Sequence, residues 1–373
     1  MTSTLHFESV AVRGFRNISF LELVPARVNV IAGDNGQGKT SLLEALYFAA
    51  TSKSFRETRL SELVQQGQEV ASVRATLREA GHAREQRAAI SGGTRSLSVD
   101  GKRPPRLASY AIATPVVVFH PGDLELASGP AAPRRLLLDR LALFIEPASA
   151  DHRQRYERAL RGRQRALEDR GPMAAELDAY EALMAEHGAA VARARAVAAE
   201  RLIAELEPAF GRVAATGLEL RVHYLPGGST DAGEFLSELA KRRGADQRRK
   251  AATFGPQRDE LELELDRRSA RRHASQGQQR ILTLALKLSE LACIREARGA
   301  HPVLLLDDVS SELDPARTGA VYELLRDSES QVFITTTRPE LLLTSGLHAD
   351  ERADFTVVLG QLERVRRAGD LEA

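Results

Sequence analysis

Gly33-Asp34-Asn35-Gly36-Gln37-Gly38-Lys39-Thr40 sets two glycines, a lysine and a hydroxyl in the spacing G-x-x-x-x-G-K-[ST]. Those residue types at that spacing suit a nucleoside triphosphate. The glycines let backbone N–H groups wrap phosphate oxygens, and a helix opening at the loop aims its positive end at them. Lys39 is spaced to reach the β- and γ-phosphates and Thr40 to hold Mg²⁺, with Ser41 carrying the loop into the helix. Glycine is only 27 of 373 residues. Lysine is rarer still, so chance matches number well below about 0.01 per chain of this length. The flanks agree: an apolar strand, Val28-Asn29-Val30-Ile31, precedes the loop, and a helix from Ser41 to about Thr51 follows it.

A second apolar strand, Val303 to Leu306, ends in Asp307-Asp308. Acids there sit at the carboxyl edge of a sheet, where a phosphate-bound Mg²⁺ belongs. Asp307 is the candidate on the metal side. Asp308 is the candidate for orienting or deprotonating an attacking water. Upstream, Ser275-Gln276-Gly277-Gln278 opens a helix expected over about Gln276 to Arg298. A serine hydroxyl, a glycine and unpaired helix N–H groups make a second anion site, although serine is also a common helix N-cap.

To present these pieces the chain needs an α/β core. Short strands are expected over residues 7–13 and 20–24, around the turn Gly14-Phe15-Arg16-Asn17. An antiparallel meander is expected over 69–99, broken at Ala80-Gly81 and Gly92-Gly93 and closed by Asp100-Gly101. Pro115-Val116-Val117-Val118-Phe119 and Gln331-Val332-Phe333-Ile334 read as buried strands. Residues 133–213 carry helical spacing and break at Gly171-Pro172, which predicts a helical hairpin inserted into the core. Strand-like segments return at 217–225 and 260–265. The expected division is 1–123, the first part of an ATPase lobe; 124–254, a mainly helical insert; and 255–373, the rest of the lobe.

Composition sets limits. Lys+Arg is 52 against Asp+Glu 51, a net charge of +1, so overall charge does not point to nucleic acid. Any such site must come from local clustering. A single cysteine, Cys293, excludes a disulfide framework and suits a reducing, cytoplasmic setting. It reads as a small buried filler. No apolar run approaches the roughly 18 residues of a membrane span, and no signal peptide is evident.

These motifs together resemble the RecF family of ABC/SMC-type ATPases, and the resemblance covers nearly the whole chain. Gly14-Phe15-Arg16-Asn17, Pro121-Gly122-Asp123-Leu124, Pro133-Arg134-Arg135 with Leu138-Asp139, and Gly255-Pro256-Gln257-Arg258-Asp259 join the segments above. The resemblance implies an ABC-type ATPase head, a mixed sheet with an antiparallel β-subdomain, plus a helical lobe. It identifies Ser275, Gly277 and Gln278 with the family's signature motif, which caps the ATP of a second copy. It identifies Ser310-Ser311-Glu312-Leu313-Asp314 with the D-loop, Asp314 lying at the dimer contact. Thr335-Thr336-Thr337 stands where many ABC proteins have a histidine, and His120 lies where the family's glutamine loop is expected.

The activity implied is that of a DNA-binding recombination mediator. Such a protein dimerises on ATP, prefers duplex next to single-strand gaps, hydrolyses ATP slowly, and works with RecR and RecO to load RecA. The segment between Thr40 and Ser275 is too short for the coiled-coil arms of SMC proteins. Candidate phosphate contacts are Arg153, Arg155, Arg158, Arg161, Arg163 and Arg165; Lys241-Arg242-Arg243 with Arg248-Arg249-Lys250; and Arg267-Arg268 with Arg271-Arg272. Aromatic residues are only 5% of the chain, which favours duplex backbone over stacked single strands. Two alternatives remain: an SMC-like ATPase of a nuclease or defence system, and an ABC ATPase subunit unconnected with DNA.

Overall fold

A computed structural model describes residues 2–57, 59–214, 217–308, 329–339 and 351–365. Contacts sort the chain into two units, Met1–Asp123 with Arg298–Ala373, and Leu124–Ala297. The second unit begins at Leu124. The chain returns at Arg298 rather than at 255, because residues 255–265 pair and pack inside the second unit.

The first unit opens with strands β1 (Ser3–Phe15), β2 (Ile18–Leu23) and β3 (Val28–Ala32), then helix α1 (Lys39–Thr51). Strands β4 (Val70–Glu79), β5 (His82–Ser91) and β6 (Thr94–Val99) form the expected meander. Helix α2 (Leu107–Ala113) and strand β7 (Val116–Phe119) complete this stretch. The second unit holds α3 (Glu125–Ser128), α4 (Ala131–Ile145), α5 (Ser149–Arg170), α6 (Leu177–Val213), β8 (Leu220–Leu225), α7 (Ala232–Arg249), β9 (Glu260–Leu265), β10 (Arg268–Ser269), α8 (Ala270–His273) and α9 (Gln276–Arg298). The chain then re-enters the first unit with β11 (Ala300–His301), β12 (Val303–Asp307), β13 (Val332–Thr336), β14 (Arg352–Val358) and β15 (Gln361–Val365).

Two sheets build the first unit. One is largely antiparallel, in the order β11-β1-β4-β5-β6, with β2 also on β1. The other runs β15-β14-β3-β13-β12-β7, and β14, β3, β13, β12 and β7 are parallel. Its central strands are buried throughout, as sheets covered on both faces require, so they read as apolar runs without alternation. Helix α1 is buried from Leu42 to Ala50 and packs on strands of both sheets. A helix apolar nearly all round must sit inside a core. Phe7 of β1 meets Phe333 of β13 edge to face at 6.1 Å. The Gln331 side chain exchanges two hydrogen bonds with the Phe7 backbone, at 2.7 and 3.0 Å, which pins the two sheets together.

In the second unit α5 and α6 pack along one another after the break at Gly171, and β8, β9 and β10 form a small antiparallel sheet. Its interior is held by charge as well as by apolar contact. Arg163 is fully buried and bonds Glu181 at 2.9 Å, Asp246 at 2.7 Å and the Leu239 carbonyl at 2.9 Å. Arg195 grips Asp139 at 2.7 Å and Asp259 at 2.9 Å. Asp259 also accepts from the Tyr224 hydroxyl and the Gly227 amide, and Gln257 accepts from the Tyr156 hydroxyl. The segment Gly255–Asp259 is therefore a clasp within this unit. Cys293 is buried, and burial pushes its thiol up to about 12, as an inert filler requires. Among the described residues no helix is long and apolar enough to cross a membrane.

Several elements go beyond the sequence expectation, three of them substantial. Helix α7 carries the 241–249 basic run, and β14 and β15 close the parallel sheet on its β3 side.

Candidate nucleotide site

Parallel β3 and β12 end on the same edge of their sheet, separated by β13. The loop after β3 and the acids ending β12 thus come together although far apart in sequence, at the strand ends where open α/β sheets bind ligands. A cleft of about 520 Å³ opens there, lined by Arg16, Asn17, Asn35, Gly36, Gly38, Lys39, Thr40, Ser41, Arg56, Glu62, Val64, Asp307 and Asp308.

Backbone geometry explains the glycines at both ends of the loop. Gly33 has φ +154°, and a Cβ there would stand 2.5 Å from the Val357 carbonyl oxygen. Gly38 has φ +114°, and a Cβ there would stand 2.8 Å from the Asn17 side chain. Helix α1 then starts at Lys39 with no side-chain cap, so its first N–H groups are turned to the loop. The loop is braced from outside by the turn between β14 and β15. Gly360 donates its amide to the Gln37 carbonyl at 2.8 Å, Leu359 donates to Gln37 Oε1 at 2.7 Å, and Asn17 Nδ2 donates to the Gln37 carbonyl at 3.2 Å.

The Lys39 ammonium donates to the carbonyls of Gly33 at 2.6 Å and Asp34 at 2.8 Å. Burial holds its pKa below the ordinary lysine value, opposed by Asp308, Asp307 and Asp34. Thr40 Oγ1 donates to Asp307 Oδ1 at 2.9 Å, and Thr335 Oγ1 donates to the same oxygen at 2.8 Å. Burial pushes Asp307 above the usual carboxylate range, against the bonds from Thr335 and Thr40. Asp308 takes φ +51°, and its amide donates to Thr335 Oγ1 at 3.0 Å. A buried carboxylate beside a hydroxyl is a hard-oxygen pair suited to Mg²⁺. The arrangement can hold a triphosphate along the loop and set a divalent ion and a water at its far end.

Of the candidate residues, Asn35, Gly36, Gly38, Lys39, Thr40, Ser41, Asp307 and Asp308 line the cleft. Gly33 and Asp34 support it through their carbonyls, whereas Gln37 is turned to the β14–β15 turn. Asp314 lies outside the described residues. His120 follows β7, the neighbour of β12, but does not line the cleft. Its backbone amide donates to Asp123, and its ring stacks 5.1 Å from Phe55. The sequence singles out Arg16 and Asn17 as a turn and gives them no role; both line the cleft. Arg16 is locked to the buried Glu44 by two bonds, at 2.8 and 3.0 Å. The unusual burial of a glutamate inside the apolar run of α1 is the signal that a cation must reach it.

The candidate signature segment belongs to the second unit. Ser275 is exposed and caps α9. Its amide donates to Gln278 Oε1 at 2.8 Å and its Oγ accepts from the Gln278 amide at 3.3 Å, a reciprocal capping box. The capping bond uses one lone pair and leaves the hydroxyl proton to donate elsewhere.

The candidate basic surfaces divide sharply. Arg163 is core, and its guanidinium belongs to Glu181 and Asp246. Arg153 bonds Asp139, Arg243 is taken by Asp178 and Glu181, and Lys241 and Arg242 both bond Glu238. Arg158, Arg161 and Arg165 are exposed at spacings of three and four along α5, which puts them on one face. Arg248, Arg249 and Lys250 are exposed as well.

Residues 6–349 match the family described as RecF/RecN/SMC N terminal domain. The chain is 40% identical over 345 residues to the DNA replication and repair protein RecF of Anaeromyxobacter sp. (strain Fw109-5), covering 90% of this chain and 93% of that one. It is 39% identical to RecF of Myxococcus xanthus (strain DK1622), over 94% of this chain and 95% of its relative. A solved structure of the recombination mediator protein RecF with ATP, from the RecFOR pathway, superposes with a TM-score of 0.87 at 27% identity, over 98% and 99% of the two chains. The Smc head domain of Pyrococcus furiosus shares the fold, with a TM-score of 0.55 at 16% identity over 97% and 96%.

Proposed function

The chain belongs to the RecF branch of the RecF/RecN/SMC family, and from that premise we propose that it is an ATP-gated DNA clamp acting in repair of gapped DNA. The observation that carries the reading is the Thr40–Asp307 hydrogen bond, which joins residues 267 positions apart at the end of the phosphate loop. ATP lies along Gly33–Thr40, with Lys39 on its β- and γ-phosphates. Thr40 and Asp307 would hold Mg²⁺, which when bound would draw charge from the phosphate oxygens. Ser275, Gly277 and Gln278 of a second copy close over the γ-phosphate, with Asp314 at the contact.

In hydrolysis a water oxygen bonds to the γ-phosphorus as the bond to the β–γ bridging oxygen breaks. Asp308 orients that water, accepts one of its protons and returns it to the phosphate released. Asp308 is one methylene shorter than the glutamate usual in ABC ATPases, so turnover is slow and the reaction acts as a switch. Loss of the γ-phosphate removes the partner's contact and opens the dimer. The exposed face of α5 bearing Arg158, Arg161 and Arg165 meets duplex phosphates without reading sequence. The partners of this reading are gapped DNA, RecR and RecO, and the outcome is RecA loading.

Light scattering with and without ATP, in the presence of gapped duplex, tests the shared site. The wild type should double its mass with ATP, and Lys39→Met and Ser275→Arg should stay single. A dimer formed by either variant overturns the assignment.

A further inference from the structure

Thr335 has no part in the chemistry described so far, yet it stands at the centre of the two acids. It is fully buried and lies in register with Asp307 across the β12–β13 pairing. Its Oγ1 donates to Asp307 Oδ1 at 2.8 Å and accepts from the Asp308 amide at 3.0 Å. A hydroxyl has one hydrogen and two lone pairs, so both bonds form at once. The Leu306 carbonyl is a more distant acceptor at 3.4 Å, and a carboxylate makes the stronger bond. Thr40 donates to the same Asp307 oxygen at 2.9 Å, so Oδ1 is held between two hydroxyls and the carboxylate cannot rotate freely. Asp308, with φ +51°, occupies the left-handed region, which costs most residues with a Cβ energy and which aspartate tolerates better than most. Its amide bond to Thr335 helps hold it there.

We propose that Thr335 is a positioning residue for ATP hydrolysis: its single hydroxyl couples the backbone of Asp308 to the carboxylate of Asp307, so both acids are set by the end of β13. The inference rests on the nucleotide reading above. It predicts a role for the hydroxyl itself, since the β-branched shape alone serves only the packing of the strand.

Thr335→Val keeps that shape and removes the hydroxyl. Its ATP turnover should fall roughly ten- to a hundred-fold, the scale of a misplaced catalytic group. Affinity for a fluorescent non-hydrolysable ATP analogue in EDTA should match the wild type, while the gain in affinity on adding Mg²⁺ should be lost. Thr335→Ser should restore most of both. In an Asp308→Ala background, Thr335→Val should cost less turnover than it does in the wild type, because the part that acts through the Asp308 carboxylate is already lost. Thr335→Ala carries the same expectations and decides the matter if the valine variant does not fold. Wild-type turnover and Mg²⁺ gain in Thr335→Val overturn the inference, as does a Thr335→Ser variant as impaired as the valine. Lys39→Met separates the two levels. If it binds the analogue as tightly as the wild type, the nucleotide reading itself falls; if its binding is weakened, while Thr335→Val behaves as wild type, only the role of Thr335 falls.

Discussion

At the carboxyl ends of β3 and β12 the charged groups face a cleft, whereas in the helical unit they face one another. Lys39 rests on backbone carbonyls beside two acids, with its pKa lowered by burial and Asp307 raised by it. Both groups would be better satisfied by a polyphosphate and a divalent cation. Arg163 and Arg195 lie as deep, yet each is matched by two carboxylates and a carbonyl and asks for nothing more. Burial of charge therefore does not mark a site. A marked site has charge whose demand the protein's own side chains leave partly unmet.

The comparison breaks most readily at Arg163. Arg163→Ala should destabilise the protein by about 3–5 kcal/mol, towards the lower end because Arg243 still pairs with Glu181. Urea unfolding followed by circular dichroism measures it. A variant that unfolds like the wild type but binds DNA less tightly would return Arg163 to the phosphate-contact group. At the cleft, Lys39→Met should cost about 2–3 kcal/mol of ATP affinity, roughly thirty- to a hundred-and-fifty-fold, with the unfolding midpoint nearly unchanged. Isothermal titration beside a urea curve tests whether the two quantities separate as they do not at Arg163.

The exposed face of α5 should behave as neither. Replacing Arg158, Arg161 and Arg165 together by alanine should leave stability unaltered and weaken duplex binding irrespective of sequence. The slope of log affinity against log salt should drop by about 3, one for each phosphate no longer neutralised. An unchanged slope would mean that this face is only solvated surface.

The smallest effect concerns acid. Burial alone would push Glu290 up, but Arg140 and Lys287 outweigh it and hold its pKa below the ordinary value. A carboxyl lowered in the folded state stabilises above its unfolded pKa of about 4.3, and that contribution is lost as pH falls through the folded value. The unfolding midpoint should therefore drop on acidification below about pH 4.3, more steeply in the wild type than in Glu290→Gln.

The same contrast explains what could be read from sequence. The phosphate loop, the strand ending in Asp307-Asp308 and the start of α9 each lie in one contiguous stretch, where spacing fixes backbone geometry. Arg16 and Thr335 carry no such mark. Each gets its place from a partner across the fold, Glu44 for the first and Asp307 with Asp308 for the second. The arginines of α5 look alike in sequence, and only the packing of α6 and α7 turns Arg163 inward while Arg158, Arg161 and Arg165 stay out. Strand β14 mixes polar with apolar residues and β15 is largely exposed, so neither has the continuous apolar run that announces β12 and β13.

Those late strands have a consequence for how the protein is made. The neighbours of β3 are β13 and β14, and the turn that grips Gln37 comes from Leu359 and Gly360. As the chain leaves the ribosome, the loop emerges early, with Asn17 and β3 already made but β13, β14 and the turn at Leu359-Gly360 still to be translated. The contacts from Leu359 and Gly360 that brace the loop carrying Lys39 and Thr40 can form only once those residues have been made.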